Sequence, residues 1–284
     1  MRPAILIALP ALALAAGAGA QSPSATEIVY RNDHPCNGNL CGRSEIYAID
    51  SSGKARRRLT INKLDDFEPV VSPSGKRIVF VRASATGNFD IWVMQRNGRG
   101  QRRLTFTSAG ETEPDWSPDG KRIVFRSFDD DQNFDLYTIS SRGGQRRRLT
   151  YTAANELNPT WSPDGKKIAF QRNDGSKIEV AVLDLGTRKT KTIVEGFAPA
   201  WSPDSRRLAY VASHEGRFEL YVIGAGGGRS EQVTTAGGEE PSWSRDGRKL
   251  AFDWDGQIFT VNVDGTGRRQ LTRPGSGLNV EPDW

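Results

Sequence analysis

The sequence predicts an all-β fold, a six-bladed β-propeller made of four-stranded antiparallel blades. The main observation is a repeated unit, best seen at residues 113–125 as Glu-Pro-Asp-Trp-Ser-Pro-Asp-Gly-Lys-Arg-Ile-Val-Phe. This unit recurs roughly every forty residues, a period typical of propellers and related repeat folds. One unit cannot bury its own faces, so the units must stack to make a core. The tryptophan position of the unit is filled by Val71, Trp116, Trp161, Trp201, Trp243 and Trp284.

Each unit carries the signals of four short strands. In the unit that starts at residue 113 we predict strands over 114–117, 122–126, 134–139 and 146–150. Ser117 to Gly120 forms the first turn, because proline presets its second position and glycine accepts the conformation that follows. The fourth strand recurs as Arg-Arg-Leu-Thr. Arginines on an outermost strand also discourage pairing with another molecule.

The two ends of the chain are expected to complete one blade together. Six second strands can be counted, beginning with 28–30, but there are six first strands only if residues 281–284 form one. We therefore expect a propeller over residues 28–284 whose C-terminal strand joins the N-terminal blade. Such closure leaves no unpaired inner edge.

Residues 1–20 are typical of a cleavable secretory signal. Arg2 supplies a positive start, an apolar run follows, and Ala18-Gly-Ala20 is a small-residue cleavage site. An uncleaved membrane anchor is the alternative, because residues 3–20 carry no charge, although this run is barely long enough to span a bilayer. We expect cleavage, a short N-terminal segment over 21–27, and a periplasmic or secreted monomer without a stable membrane span.

The two cysteines, Cys36 and Cys41, lie in one loop. In an oxidising compartment, a disulfide that closes this loop is the expected outcome. A metal site is the alternative reading, but it would need further ligands, and the only histidines are His34 and His214.

The repeats resemble a known family. The run Trp-Ser-Pro-Asp-Gly-Lys-Arg-Ile-Val-Phe at 116–125, followed by Asp-Leu-Tyr and Arg-Arg-Leu-Thr, is similar to the WD-like repeats of the TolB propeller family. The resemblance covers roughly residues 25–284 and implies the propeller alone, since residues 21–27 leave no room for the N-terminal domain of TolB proteins. Similar repeats form the propellers of prolyl-oligopeptidase-type peptidases, so the resemblance implies a fold more than a function.

Strand order divides the charges between two faces of the predicted propeller. One face, here called the basic face, collects Lys76, Arg77, Lys121, Arg122, Lys166, Lys167, Arg206, Arg207, Arg248 and Lys249. The opposite face, called the acidic face, collects Asp65, Asp66, Glu111, Asp129, Asp130, Asp131, Glu156, Glu239 and Asp255. Fields of this kind steer partners by the sign of their charge.

The first residues of the inner strands should encircle the channel mouth on the acidic face. These mouth residues are Glu68, Glu113, Asn158, Ala198, Glu240 and Glu281. Converging carboxylates repel unless they bind a cation, take up protons or spread into water. One hypothesis is therefore a cation, with calcium held by Glu68, Glu113, Glu240 and Glu281, or a basic partner segment. The alternative is a solvated ring whose side chains hold loops in place.

A second series of acids begins the third strands, at Glu45, Asp90, Asp135, Glu179 and Glu219. Because an acid recurs in almost every blade, we expect a structural role, as acceptors for nearby loop amides. Enzyme signatures are few, since no nucleophile elbow, metalloprotease or phosphate-loop motif occurs. With only two histidines, both in loops, a Ser-His-Asp triad is not expected.

The function predicted from the sequence is that of a non-enzymatic scaffold that binds a protein or peptide partner in the cell envelope. The acidic face would make the contact, with Asp129, Asp130 and Asp131 among the contacting residues. A metal-dependent lactonase or esterase that uses channel carboxylates is one alternative, and a binder of anionic envelope polymers through the basic face is another. Nucleic acid is not an expected partner, because the basic residues lack interleaved exposed aromatics.

Overall fold

A computed structural model describes residues 27–33, 43–50, 52–128, 133–273 and 278–284. Within these ranges every regular element is a β-strand, and the strands form six four-stranded sheets around one channel. The predicted six-bladed propeller is therefore confirmed. None of the described residues belongs to a helix that is long and apolar enough to cross a bilayer.

The first three blades follow one another along the chain. Blade 1 contains β1 (Glu27–Asp33), β2 (Ser44–Asp50) and β3 (Arg56–Arg58). Blade 2 contains β4 (Asp66–Val71), β5 (Arg77–Ala83), β6 (Phe89–Gln95) and β7 (Arg102–Arg103). Blade 3 contains β8 (Glu111–Trp116), β9 (Arg122–Phe128), β10 (Phe134–Ser140) and β11 (Arg147–Arg148).

The remaining blades repeat the same order from the axis outward. Blade 4 contains β12 (Asn155–Trp161), β13 (Lys167–Asn173), β14 (Ile178–Asp184) and β15 (Thr190–Glu195). Blade 5 contains β16 (Phe197–Trp201), β17 (Arg207–His214), β18 (Arg217–Gly224) and β19 (Glu231–Gln232). Blade 6 contains β20 (Glu239–Trp243), β21 (Lys249–Trp254), β22 (Gln257–Asn262) and β23 (Arg269–Gln270).

The last strand of the chain closes the ring. Strand β24 (Leu278–Asp283) pairs antiparallel with β1 and so becomes the innermost strand of blade 1. Blade 1 is thus shared between residues at the two ends of the described chain, as expected. The fourth strands of blades 2, 3, 5 and 6 are short, and β11 covers only Arg147 and Arg148 of the predicted 146–150, whereas β15 of blade 4 has six residues.

The tryptophans of the repeat join neighbouring blades. Trp116 packs among residues of blades 2 and 3, including Val79 and Phe125, and its indole N–H donates to the carbonyl of Val70 at 3.0 Å. Trp201 and Trp243 make the equivalent bond to the inner strand of the preceding blade. Tryptophan suits this position because its large ring is apolar and can be buried, while its indole N–H can donate to a backbone carbonyl of the neighbouring inner strand.

The Leu-Thr pair that follows the fourth strand explains how such short strands are held. In five blades the threonine hydroxyl accepts the backbone N–H of the third strand at 2.9–3.0 Å, at Thr60, Thr105, Thr150, Thr234 and Thr272. The preceding Leu59, Leu104 and Leu271 are buried. A side-chain hydroxyl thus supplies the acceptor that a longer fourth strand would have offered.

Several sequence predictions concern residues outside the described ranges. They include the signal over residues 1–20, the segment that precedes residue 27, the Cys36–Cys41 disulfide and the acidic run Asp129, Asp130 and Asp131. These remain predictions.

Candidate functional site

A channel of about 470 Å³ lies on the axis of the propeller and is lined by the inner strands of all six blades. Its wall repeats one pattern, in which a mouth residue is followed by proline, a small or acidic residue, and the tryptophan position. An apolar wall with a few convergent polar groups is the usual make-up of a binding site. The channel is therefore a candidate binding site.

The six mouth residues share an unusual backbone conformation. Their φ angles lie between 46° and 55°, although none of them is glycine, at Glu68, Glu113, Asn158, Ala198, Glu240 and Glu281. Each inner strand loses its pairing register at this point. The following proline has no N–H to offer the ladder, so a bulge costs less there than elsewhere. A left-handed residue costs about 1–2 kcal/mol, which the surrounding ring has to offset.

Part of that cost is offset by hydrogen bonds that run from blade to blade. The carboxylate of Glu281 accepts the backbone N–H of Glu68 at 2.7 Å. Glu68 accepts the N–H of Glu113, and Glu113 accepts the N–H of Asn158, each at 2.5 Å. In these three cases the bulge turns the mouth amide toward the preceding blade, where a glutamate can reach it. The sequence analysis did not foresee this way of relieving repulsion between the mouth carboxylates.

Two of the mouth glutamates also have an arginine partner. Arg31 Nη1 lies 2.5 Å from Glu281 Oε1, and Arg126 Nε lies 3.2 Å from Glu113 Oε2. Burial raises the pKa of both glutamates, and the neighbouring arginine acts in the opposite direction. The pKa of Glu68 is raised well above its usual value, by burial first and then by Glu113 and Glu281.

Blade 6 differs from this pattern. Neither the Glu239 nor the Glu240 side chain makes a hydrogen bond or ion pair with a described residue, and the nearest second-strand residue is another acid, Asp253. Burial and the neighbouring Asp253 raise the pKa of Glu240 to about 8, while burial and Glu239 raise the pKa of Asp253 to about 7. Water reaches one side of Glu240 from the channel, and protein surrounds the rest. Blade 6 thus holds the least compensated charge at the mouth.

A second layer of carboxylates lies deeper in the channel, which sequence reasoning missed. Asp115 accepts the backbone N–H of Trp161 at 2.6 Å, and Asp283 accepts that of Val71 at 2.7 Å. Burial raises the pKa of Asp115 to about 7 and that of Asp283 to about 6. The signal was present, since only two repeats read Glu-Pro-Asp-Trp, whereas the other four have Val, Thr, Ala or Ser before the tryptophan position.

The acids that begin the third strands are structural. Glu45, Asp90 and Asp135 each pair with the arginine that stands two residues before the Leu-Thr threonine of the same blade, at Arg58, Arg103 and Arg148. The expected acceptance of a loop amide is seen at Glu219, which accepts the N–H of Gly237. The structural role holds, and the main partner is an arginine rather than an amide.

In the part of the chain that the structure describes, the exposed large hydrophobic side chains lie on one face. All eight of the exposed large hydrophobic residues among those described lie at strand ends or loops of the acidic face, at Ile61, Phe89, Phe106, Phe128, Tyr151, Ile178, Phe218 and Leu278. Phe106 and Tyr151 are more than 70% exposed and stack on Arg103 and Arg148. Several acids expected on this face, among them Asp66, Glu111 and Glu156, are instead buried. Two of them form ion pairs within their own blades, Asp66 with Arg82 in blade 2 and Glu111 with Arg146 in blade 3.

The basic face has a different character. Several of its arginines stack on tryptophans of the next blade, as Arg77 does on Trp116 and Arg122 on Trp161, both at 4.6 Å. Arg245 takes the place that proline holds in the other turns and lines that end of the channel. The basic face therefore offers charge but little apolar contact area.

The predicted calcium ligands are only partly brought together. Glu68, Glu113 and Glu281 are linked through each other's amides, and the described residues contain no group of three or more acids, histidines or cysteines arranged to hold a metal ion. Calcium binding by Glu68, Glu113, Glu240 and Glu281 remains a prediction.

These features define a six-bladed propeller with an acidic, partly apolar channel mouth and no recognisable catalytic motif. The family model of the TolB beta propeller domain matches residues 42–198 and 195–284. The chain therefore belongs to the TolB β-propeller family. No curated protein sequence matches it.

Solved structures with the same fold include different kinds of protein. TolB from Acinetobacter baumannii superposes with a TM-score of 0.79 at 20% identity, covering 92% of this chain and 67% of that one. A putative TolB from Agrobacterium tumefaciens gives 0.70 at 17% identity, covering 87% and 88%. An oligogalacturonate lyase in complex with manganese gives 0.59 at 15% identity, covering 89% and 80%. At these identities the likeness establishes the fold alone.

Proposed function

We propose that this protein is an extracytoplasmic, non-enzymatic scaffold that binds a protein or peptide partner through the acidic face of its propeller. The observation that carries the proposal is the position of the exposed apolar side chains, all eight of which lie on that face. Soluble proteins seldom leave such groups together unless a partner covers them. Membership of the TolB family and the signal predicted over residues 1–20 support a periplasmic or secreted location.

The chemistry of the face indicates what kind of partner would fit. Aromatic side chains surround the mouth, where the rings of Phe67 and Phe89 pack edge to face at 5.5 Å and those of Phe197 and Phe218 at 5.1 Å. The mouth in the centre is acidic. An apolar perimeter with a charged centre suits a surface that is itself apolar around a projecting basic segment, because complementary charge sets the register of the two partners.

A comparative pull-down from envelope extract tests this proposal. The bait would be the protein itself, a variant with Phe106→Ser and Tyr151→Ser, and a control variant with Lys121→Ser and Lys166→Ser on the basic face. Both pairs are exposed, so neither should alter the fold. We expect one set of proteins to be retained by wild type and by the control but lost from the aromatic variant.

The reverse result would contradict the proposal. If partners are lost only from the Lys121→Ser, Lys166→Ser variant, the binding site is on the basic face and an anionic ligand is favoured. Circular dichroism and a thermal melt of each bait would show that the comparison is between folded proteins.

A hydrolase is the second candidate, and one observation favours it. The channel holds two carboxyl groups, Asp115 and Asp283, whose pKa values burial raises toward neutrality. Carboxyl groups with perturbed pKa values inside a cavity are candidates for acid–base chemistry. The test is a screen of ester and lactone substrates with added calcium or manganese. Activity that disappears in both Asp115→Asn and Asp283→Asn would replace the scaffold proposal with this one.

A further inference from the structure

The six blades provide an internal comparison of the position beside each mouth residue. In every blade the residue that precedes the mouth residue pairs in register with one residue of the second strand. These second-strand residues are Arg31, Val81, Arg126, Gln171, Val211 and Asp253 in blades 1 to 6. These six residues occupy equivalent places at the rim of the channel. The blades can therefore be compared by the side chain that each has at this position.

In two blades an arginine occupies this position and contacts the mouth glutamate. In blade 1, Arg31 lies 2.5 Å from Glu281, and in blade 3, Arg126 lies 3.2 Å from Glu113. In blade 2, where Val81 holds this position, Glu68 instead accepts the N–H of Glu113 at 2.5 Å, so the mouth glutamates of blades 1 to 3 all have a donor. A carboxylate taken out of water is stabilised most effectively by a charged donor in direct contact.

Blade 6 has the glutamate but an acid where the arginine would stand. Asp253 is only 8% exposed, and its one hydrogen bond among the described residues is a long contact of 3.4 Å from the N–H of Glu281 to Oδ1. Asp253 Oδ2 accepts no hydrogen bond from a described residue, and neither Glu240 nor Glu239 has one. A nearly buried carboxylate without a strong donor is costly, because native proteins satisfy such groups.

Blades 4 and 5, which precede blade 6 in the ring, carry no charge at the equivalent positions. Blade 4 combines Asn158 with Gln171, and blade 5 combines Ala198 with Val211. Among the described residues, the mouth glutamate that lacks a donor is thus the one in blade 6, so a ligand that enters the mouth would be bound in one orientation.

We propose that the partner's inserted segment places a lysine or arginine side chain between Glu240 and Asp253, where it supplies the cation that Arg31 and Arg126 supply in blades 1 and 3. This inference rests on the proposed function, since it names the chemistry of the segment that the mouth would accept. A guanidinium or ammonium group there would give Asp253 and Glu240 their missing donors. Binding would also release protons near neutral pH, since Glu239, Glu281 and Glu113 face the same pair and only Arg31 offsets them.

Fluorescein-labelled decapeptide pools provide the probe. Each pool carries arginine, glutamine or glutamate at the fifth position and is randomised among uncharged residues at the other nine. Binding is measured by fluorescence polarisation in buffer that contains EDTA, so that no divalent cation mediates it. We expect the arginine pool to bind wild type about tenfold or more tightly than the glutamine pool, a difference that one buried ion pair readily provides.

Two variants test whether the preference for arginine arises at blade 6. Asp253→Arg installs the residue found in blades 1 and 3, and should abolish the preference for arginine by filling the site from within. Glu240→Gln, which preserves shape, should reduce it severalfold. Glu231→Arg makes the same change in net charge on the exposed edge of blade 5 and should leave the preference unchanged.

The outcomes separate this inference from the function on which it rests. If the arginine and glutamine pools bind wild type equally, the subsite is wrong while segment binding stands. If Glu231→Arg removes the preference as fully as Asp253→Arg does, the effect is one of net charge, and the subsite is again wrong. If no pool binds at all, the proposed function fails and this inference fails with it.

Discussion

The carboxylate of Glu281 accepts a hydrogen bond from the backbone N–H of Glu68 at 2.7 Å and pairs with Arg31 at 2.5 Å. One side chain near the C-terminus thus connects β24, β1 and β4, and so fastens the blade shared between the two ends of the chain to its neighbour. Glu240 occupies the same position in blade 6 and has the same left-handed backbone. It makes no hydrogen bond with any described residue, so the two glutamates form a matched pair.

Glu281→Ala should destabilise the protein, and Glu240→Ala should not. The first change leaves the Glu68 N–H and part of Arg31 without an acceptor, which costs about 1–3 kcal/mol. The second removes an uncompensated carboxylate, so the free energy of unfolding should be unchanged or higher. Urea unfolding followed by tryptophan fluorescence measures both, and an equal loss in the two variants would show that the ring of carboxylate-to-amide bonds contributes nothing.

Deleting residues 281–284 tests closure itself. The deletion removes half of β24 and with it the Glu68, Val71 and Arg31 contacts of Glu281 and Asp283. An edge strand of blade 1 would then face the channel without a partner, so we expect a much lower melting temperature, with a loss of cooperativity. A melting curve that matches wild type would contradict the closure shown here.

How much the sequence reveals differs between the fold and the site. The tryptophan spacing, the Ser-Pro-Asp-Gly turns and the strand that begins at Glu281 were sufficient for six blades and their closure, because each is a local pattern repeated at a fixed period. The left-handed mouth residues were not predictable, because their conformation depends on how close the next inner strand lies. The role of Asp253 was also hidden, since it follows from a register that pairs it with Glu239.

A comparison of two tryptophans separates the contribution of the inter-blade hydrogen bond from that of packing. Trp116 donates its indole N–H to Val70, whereas the buried indole N–H of Trp161 has no hydrogen-bond partner among the residues that the structure describes. Both rings are nearly buried and lie 4.6 Å from an arginine. Trp116→Phe should therefore destabilise the protein by about 1 kcal/mol more than Trp161→Phe, as measured by urea unfolding. Equal losses would mean that the indole acts through apolar burial alone.

The mouth should make stability depend on pH. The pKa of Glu240 is raised to about 8 and that of Asp253 to about 7 in the folded protein, whereas both are near 4 in the unfolded chain. The folded state therefore binds more protons than the unfolded state in the interval between, and its stability falls as pH rises. The stabilising contribution of the protonated groups is complete below about pH 4 and is lost as pH passes through 7 to 8.

We expect the melting temperature to fall between pH 5.5 and 8.5 and the double variant Glu240→Gln, Asp253→Asn to flatten that fall. The amides keep the shape of the acids but cannot ionise, and contact with channel water limits the total effect to about 1–3 kcal/mol. Glu231→Gln, on the exposed outer edge of blade 5, serves as the control and should follow wild type. If the double variant has the same slope as wild type, the Glu240–Asp253 pair is already compensated, and the cationic partner group inferred for it has no electrostatic basis.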